Sequence, residues 1–356
     1  MRSKAVPQRE IAFRASADFS GILRHLNSSL LVSTYAAGKV AIVGAGQDDQ
    51  VDLRFHNFQQ AMGMAWDGRR LAVGGQNQIW ILEAEPQLAN QIPPTGQYDQ
   101  AVLYRRAYGT GNIHVHEMQW TGEELWFANT LFSCLCTLDG NYSFVPRWQP
   151  SFIKELAPED RCHLNGMTMQ DGMPKYVSVL GMTNQARGWR ENKASGGAIL
   201  DVPSGEIVSQ GLAMPHSPRI HNGRLLVLNS GCGTLESVDE SNGDRVVVDK
   251  LPGYLRGMDF AGQFAFIGMS RARETSVFGG IPIEAEKDDL RCGVGVVDLH
   301  SGRAVAWLQM DTGVEEIFGV TVVPNVKRLA MSGPYPDVDE SEPVWLLPPP
   351  GSVPPR

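Results

Sequence analysis

Short apolar runs separated by turns of small residues dominate the hydrophobic pattern of this chain. Each run holds four to six strand-forming residues, and in most cases a second run follows that ends near an acidic residue. The runs begin at Ser29, Arg70, Glu124, Lys175, Arg224 and Gln263. Most are preceded by an Asp-Gly, Thr-Gly, Asn-Gly or Ala-Gly pair, which is a hairpin signal. Only residues 15–26 fit an amphipathic helix, so the pattern predicts an all-β protein.

The strand phrases repeat at a spacing typical of propeller blades. We align as equivalent the positions Gly63, Glu117, Gly166, Pro218, Gly257 and Gly319, which are 54, 49, 52, 39 and 62 residues apart. A period of about 40 to 50 residues with several antiparallel strands per unit indicates a β-propeller. A β-sandwich is the structural rival, but it does not predict one recurring hairpin phrase. Six first-strand phrases favour six blades, and residues 328–347 leave room for a seventh.

The two ends of the chain are expected to complete one blade together. Residues 29–58 supply strands without a first strand of their own, and the phrase at 317–324 supplies a first strand. We therefore divide the chain into an N-terminal arm with a short helix (1–28), one propeller domain (29–347) and a Pro-rich tail (348–356).

Charge and composition exclude several classes of partner. The chain has 356 residues, of which 42% are hydrophobic, a net charge of −8 and no run of Lys or Arg. Nucleic acids and anionic membranes both require a concentrated basic face. No segment approaches the roughly 20 apolar residues of a membrane span, and the N-terminus lacks a signal-peptide core. We expect a cytoplasmic protein, and the sequence leaves its oligomeric state open.

Candidate chemistry gathers at the start of the first strands. In a propeller these strands line the central channel, so the residues that precede them collect at one mouth. Four of the eight histidines fall in these phrases, together with other polar side chains. The set comprises His114, His116, Glu117, His163, Asn165, His216, Arg219, Arg256 and Glu316. Converging ionisable groups in a concavity are the default hypothesis for a functional site.

Two kinds of chemistry fit this set, and the sequence leaves both open. A divalent metal ion could be held by His116, His163, His216 and Glu316, with ligands from different blades. Without a metal, the same histidines and Glu117 could be the general acid and base. The phrase around Asn165 resembles the calcium-binding phrase of six-bladed lactonase-like propellers, but the other blades lack the acidic partners that calcium requires.

Two insertions rich in Gly and Arg, at 181–202 and 268–299, are expected to fold over the channel mouth. Such a lid would bring Arg190, Arg219, Arg256 and Arg273 together, beside Trp189. Guanidinium groups match the geometry of carboxylate, sulfate and phosphate groups. We therefore count Asn165, Trp189 and these four arginines as substrate-binding candidates.

Several long phrases, among them GWRENKASGGAILDVPSGEI, MPHSPRIHNGRLLVLNSG and CGVGVVDLHSGRAVAWL, carry a resemblance to a known family. They resemble an uncharacterised bacterial family of domain-of-unknown-function propellers, some of which also carry tetratricopeptide repeats. The resemblance extends from about residue 17 to 347. It implies a propeller and no established reaction.

The functional hypothesis is an enzyme that acts on a small anionic or peptide substrate at the funnel lined by His and Arg. Hydrolase, lyase and isomerase chemistry all remain possible, with or without a divalent metal ion. The alternative is a non-catalytic propeller that binds a peptide or a protein, because the fold alone does not choose between the two.

Overall fold

In the computed structural model, which describes residues 11–271 and 279–349, the strands form six sheets around a common axis. The first half of the chain contains β1 (Phe13–Ala15), α1 (Ala17–His25), β2 (Ser28–Thr34), β3 (Lys39–Ala45), β4 (Val51–Asn57), β5 (Met64–Trp66), β6 (Arg70–Gly74), β7 (Gln78–Ala84), β8 (Gln100–Gly109), β9 (Val115–Thr121), β10 (Glu124–Asn129), β11 (Cys134–Thr137), β12 (Val145–Trp148), β13 (Leu164–Gln170) and β14 (Met173–Val179). The second half contains β15 (Gly197–Asp201), β16 (Ile207–Leu212), β17 (Pro215–His221), β18 (Arg224–Asn229), β19 (Thr234–Val238), β20 (Arg245–Lys250), β21 (Tyr254–Ala261), β22 (Phe264–Ser270), β23 (Cys292–Asp298), β24 (Arg303–Met310), β25 (Gly319–Pro324), β26 (Leu329–Ser332) and α2 (Pro336–Asp339). Short 3-10 helices lie at Pro86–Gln91, Gly188–Asn192, Ser230–Cys232 and Pro282–Asp289.

Each sheet is one blade, and the chain closes the ring with both of its ends. From the axis outward, blade 1 is β25-β2-β3-β4, blade 2 is β5-β6-β7-β8-β26, and blades 3 to 5 are β9 to β12, β13 to β16 and β17 to β20. Blade 6 runs from β21 to β24 and is extended by β1. Leu30 of β2 pairs with Val322 of β25, which joins the start of the chain to its end. The prediction of a six-bladed propeller closed by both terminal segments is therefore confirmed.

The outer edges of two blades carry additional strands. β26 pairs in parallel with β8 on the rim of blade 2, so the strand found within residues 328–347 extends an existing blade. β1 pairs with β24 on the rim of blade 6. The predicted helix is present as α1, where Phe19 and Leu23 pack with Leu30 and Leu308 between blades 1 and 6.

The core consists of apolar layers between neighbouring blades. Ile79 and Ile81 of blade 2, for example, pack with Val115 and Phe127 of blade 3. Because a blade has a neighbour on each face, its middle strands are apolar on both sides and β2 is buried over its whole length. This is why the apolar runs in the sequence are continuous and do not alternate with polar residues.

Close contact between first strands explains the recurring glycines. A side chain at Gly63 would place its Cβ 2.6 Å from the His116 carbonyl oxygen, and one at Gly257 would meet the Val320 nitrogen at 2.6 Å. Gly257 also has φ +76°, a conformation that glycine adopts at low cost. Small residues at these positions let the innermost strands approach the axis, and the residue before each one lines the channel.

Strand pairing corrects one position in the repeat alignment. Val115 pairs with Asn129 at the start of blade 3, and Pro215 pairs with Asn229 at the start of blade 5. His116 and His216 therefore occupy equivalent positions in their blades. In the alignment of the first strands, the residue equivalent to Gly166 is thus Ser217 and not Pro218. Across the six blades, Met62, His116, Asn165, His216, Arg256 and Phe318 hold the same position.

Candidate functional site

A cavity of about 360 Å³ opens at the end of the channel where the first strands begin. We call it the mouth cavity. Most of its lining comes from two equivalent positions of the first-strand phrases, two residues apart. These residues are His114, His163, Met214, Tyr254 and Glu316 from the outer position, and Met62, His116, His216, Arg256 and Phe318 from the inner one. Tyr35, Asp160, Leu180, Trp189 and Arg190 complete the wall. The structure thus brings His116, His163 and His216 to one cavity.

His116 is held as a neutral imidazole with its proton on Nδ1. That nitrogen lies 2.9 Å from the His114 carbonyl oxygen, which can only accept a hydrogen bond. The Thr130 hydroxyl, 2.8 Å from the same nitrogen, donates its own proton to the Leu164 carbonyl at 2.6 Å. Nε2 therefore carries the lone pair. Burial, with the charges of His163 and Arg256, holds the pKa of His116 well below the usual value for histidine.

His216 repeats this arrangement in blade 5. Its Nδ1 lies 2.9 Å from the Met214 carbonyl oxygen and 3.0 Å from the Ser230 hydroxyl. The carbonyl again requires a protonated Nδ1, so Nε2 is an acceptor. Burial, followed by the positive charge of Arg256, lowers the pKa of His216 far below its usual value. Both histidines are therefore fixed neutral acceptors in the folded protein.

His163 has a different partner, a carboxylate. Its Nδ1 lies 2.8 Å from Asp160 Oδ1, and the Trp189 indole donates to Asp160 Oδ2 at 3.0 Å. The His163 ring contacts Trp189 at 4.6 Å and His116 at 4.9 Å between centroids. Among the described residues its Nε2 has no hydrogen-bond partner, although the ring lines the cavity. Asp160 and Trp189 thus orient an imidazole whose basic nitrogen is available.

Arg256 lies between a histidine and an acid in the wall of the cavity. It donates to His116 Nε2 at 2.9 Å and to Glu316 Oε1 at 3.1 Å. Its guanidinium carbon sits 3.8 Å from the centroid of the Phe318 ring, a cation–π contact. The buried Nε has no partner among the described residues. Arg256 therefore keeps unused donors beside the cavity.

Two of the four residues predicted to hold a divalent metal ion contact Arg256 in the structure. Within residues 11–271 and 279–349, no group of three His, Cys, Asp or Glu side chains is placed to hold a metal ion. Arg256 donates to His116 Nε2 and pairs with Glu316, so a guanidinium cation already engages two of the four proposed ligands. The charge of this cation opposes a second cation nearby.

Three predicted site residues lie deeper in the channel and do not line the mouth cavity. Arg219 donates to Glu117 at 2.9 Å and to the Met258 and Met167 carbonyls at 3.1 Å each. Burial raises the pKa of Glu117, outweighing the opposite effect of Arg219. Asn165, only 2% exposed, is held by the Pro215 carbonyl and a neighbouring hydroxyl. These contacts tie the first strands of different blades together.

The first insertion contributes two residues to the cavity. The 3-10 helix Gly188–Asn192 places Trp189 in the wall, where it is 2% exposed, and Arg190 at the rim with its guanidinium 5.3 Å from the Trp189 ring. Arg273, in the second insertion, lies outside the described residues.

The residues that orient the histidines lie outside the set predicted from the sequence. Asp160 lies in the connection before β13, three residues ahead of His163 and outside the repeating phrases. Thr130 and Ser230 occupy the same place after the second strand of their blades, so aligning the strand ends would have found them. Tyr254 stands at the position equivalent to His163, and burial raises the pKa of its hydroxyl, which therefore keeps its proton.

The fold and the cavity define a six-bladed propeller with a mouth lined by histidine, arginine and aromatic side chains. The chain belongs to the family described as "Domain of unknown function (DUF4915)", whose model matches residues 17–331. No curated protein matches the chain. Across the described residues, no helix is both long and apolar enough to cross a membrane.

Two solved structures are similar in fold. A chain in a crystal structure of a nidogen/laminin complex shares 10% identity, with a TM-score of 0.53, over 84% of this chain and 99% of its own length. A protein of unknown function from Bacteroides caccae shares 11% identity, with a TM-score of 0.50, over 83% of this chain and 98% of its own. At these identities the similarity shows the fold alone.

Proposed function

We propose that the mouth cavity is the active site of an enzyme that uses His163 as a general base on a small anionic substrate. The observation that carries the proposal is the Asp160–His163 contact of 2.8 Å, braced by the Trp189 indole. An imidazole held by a carboxylate, with its second nitrogen facing a cavity, is the arrangement that proton abstraction requires.

Each group has a defined part in this chemistry. The Asp160 carboxylate accepts the Nδ1 proton of His163, so the lone pair on Nε2 faces the substrate. When Nε2 takes a proton from the substrate or from a water molecule, the imidazolium that forms is stabilised by Asp160. Tyr254, which burial keeps protonated, stands in the same wall. Isomerase, lyase and hydrolase reactions share this proton transfer, which contributes about 10²–10⁴-fold to rate.

Two arginines favour an anionic substrate. Arg256 uses two of its nitrogens for Glu316 and His116 and keeps other N–H groups beside the cavity. Arg190 stands at the rim. A carboxylate held by Arg256 would place the neighbouring carbon close to the histidine wall, because the rings of His116 and His163 are in contact.

The experiment is a reaction screen that does not presuppose one substrate. Small 2-hydroxy acids, 2-oxo acids, sugar lactones and carboxylate esters are incubated with the protein in D₂O and followed by ¹H NMR. Proton abstraction appears as loss of a C–H signal through exchange, and hydrolysis or elimination appears as a new product.

The variants H163N and D160N are compared with H300N, which removes an exposed histidine from the turn after β23. We expect H163N to lose about 10²–10⁴-fold in rate, D160N to lose at least tenfold, and H300N to match the wild type. A wild-type protein that changes none of these compounds, or an H163N variant as active as the wild type, would refute the base. Binding without turnover would favour the non-catalytic alternative.

A further inference from the structure

We propose that the mouth cavity takes a hydroxylated carboxylate, meaning a sugar acid or a comparable small polyhydroxy acid, and that His216 recognises one of its hydroxyl groups. This inference rests on the function proposed above and names the substrate class for the same cavity. It depends on features that the His163 base does not use: a fixed neutral acceptor, a cation with unused donors, and aromatic walls.

The acceptor is Nε2 of His216. Its Nδ1 proton is committed to the Met214 carbonyl at 2.9 Å, so the ring cannot turn its donor toward the cavity without losing that bond. The residue is 4% exposed and lines the mouth cavity, and among the described residues its Nε2 has no hydrogen-bond partner. A ligand that displaces water from this acceptor must replace the lost hydrogen bond, so the site favours a ligand that donates a hydrogen bond there.

The donor that fits this acceptor is uncharged. Burial, followed by the positive charge of Arg256 in the adjacent blade, lowers the pKa of His216. A field that disfavours an imidazolium at this point also disfavours a ligand ammonium there. A hydroxyl group donates a hydrogen bond without carrying charge.

The carboxylate belongs at Arg256. Phe318 covers one face of this guanidinium at 3.8 Å and Glu316 and His116 bind two of its nitrogens, which fix its position. Each of its two Nη groups keeps a further N–H, and the side chain lines the cavity, whereas Nε is buried without a partner among the described residues. One carboxylate oxygen can engage Arg256 while a hydroxyl on the same small molecule reaches His216, since both residues lie at the equivalent inner position of adjacent blades.

The walls and the volume suit a compact ring or short chain. Trp189, Tyr254, Phe318 and Tyr35 line the cavity, and aromatic faces pack well against the C–H faces of a sugar. At about 30 Å³ for each water-sized group, 360 Å³ accommodates about a dozen non-hydrogen atoms. This is the size of a single hexuronic acid.

The test separates hydroxyl groups from the carboxylate with matched probes. D-glucuronate, D-galacturonate, D-gluconate and quinate carry both groups, D-glucose lacks the carboxylate, and cyclohexanecarboxylate keeps a six-membered ring and a carboxylate without hydroxyls. Dissociation constants are measured by calorimetry, with saturation-transfer NMR for weak ligands. We expect at least one hydroxylated carboxylate to bind tenfold or more tightly than both D-glucose and cyclohexanecarboxylate.

Two substitutions at His216 test whether its acceptor nitrogen, and not the packing of its ring, determines ligand binding. Asparagine already stands at the equivalent position of blade 4, where Asn165 donates to a main-chain carbonyl, so H216N keeps an inward donor and removes the outward acceptor. H216Q restores an acceptor oxygen near the place of Nε2. We expect H216N to weaken binding of the hydroxylated acid about five- to tenfold and H216Q to recover most of it. The control is H221N, the same change at the far end of β17, where His221 stacks on Phe260.

The outcomes separate this inference from the proposed base. If cyclohexanecarboxylate binds as tightly as every hydroxylated acid, or if H216N binds the tightest acid like the wild type, the hydroxyl assignment is wrong and His163 chemistry is unaffected. If D-glucose binds equally well, the carboxylate assignment is wrong. If none of the probes binds, the substrate class is wrong. Binding of a sugar acid that H216N weakens, without His163-dependent turnover in the reaction screen, would support this inference and refute the enzyme.

Discussion

Arg256 donates a hydrogen bond to Nε2 of His116 over 2.9 Å, although the two residues are 140 positions apart in the chain. The bond fixes the charge distribution of the mouth cavity. His116 can accept it only as a neutral imidazole, and the positive charge of Arg256 opposes protonation of that imidazole. The cavity therefore combines a permanent cation with neutral acceptors, and this combination underlies the predictions below.

Removing the charge of Arg256 should raise the pKa of His116. In R256M the largest cause of the depressed pKa, burial, remains, whereas the repulsion from the guanidinium disappears. We expect the pKa of His116 to rise, as seen in an NMR titration of the imidazole signals. R256K keeps a positive charge and is the control, with a smaller rise expected. A pKa in R256M equal to that of the wild type would show that Arg256 does not set the charge state of His116.

The neutral histidines should make the fold less stable in mild acid. The folded-state pKa values of His116 and His216 lie well below their unfolded value of about 6.5. Below that pH the unfolded chain binds protons that the folded chain does not, so stability falls as the pH drops. Each histidine lowers the free energy of unfolding by up to about 1.4 kcal/mol for each pH unit below 6.5. Above about pH 6.5 the ring is neutral in both states and imposes no penalty.

Urea unfolding from pH 7.5 to 5 measures this dependence. Two buried acids, Glu117 and Asp259, have raised pKa values and act in the opposite direction, so the informative quantity is the difference between variants. H216N should lose the contribution of one buried histidine to the slope, and H221N, which removes a half-buried ring at the far end of β17, is the control. Equal slopes in H216N and the wild type would mean that His216 protonates freely in the folded protein.

We expect the buried Glu117–Arg219 ion pair to stabilise the folded protein. Both side chains are nearly buried, with 11% and 12% of their surface exposed, and Arg219 also holds main-chain carbonyls. Replacing Glu117 removes the carboxylate that accepts a hydrogen bond from the buried Arg219 and leaves Asp259 as its nearby acid, so E117Q should lower the free energy of unfolding by about 3 kcal/mol. R69M breaks an ion pair of 59% and 83% exposure with Glu123 and should cost less than about 1 kcal/mol. An E117Q variant as stable as R69M would contradict this assignment.

The repeat in the sequence was sufficient to predict the blade number, the closure of the ring and the convergence of His116, His163 and His216, because these depend on strand order. It was not sufficient for side chains whose role is set by local register. Glu117 directly follows His116, and successive residues of a strand point in opposite directions, so it faces the deeper channel. Asp160 lies in a connection whose path no periodic pattern specifies. Strand order also does not reveal that Arg256 binds His116 and Glu316, two of the residues predicted to hold a metal ion.

Asp160 should fix the tautomer of His163. In the wild type its carboxylate accepts the Nδ1 proton at 2.8 Å, so ¹⁵N NMR of the neutral ring should show a protonated Nδ1 and an unprotonated Nε2. In D160A this preference should vanish, and the two nitrogen shifts should approach the values of free imidazole in water. W189F keeps the carboxylate and an aromatic ring and removes only the indole donor to Asp160, so it should retain the Nδ1–H tautomer. A D160A protein with unchanged ¹⁵N shifts would show that another group orients His163, and the Asp160–His163 pair would lose its part in proton transfer.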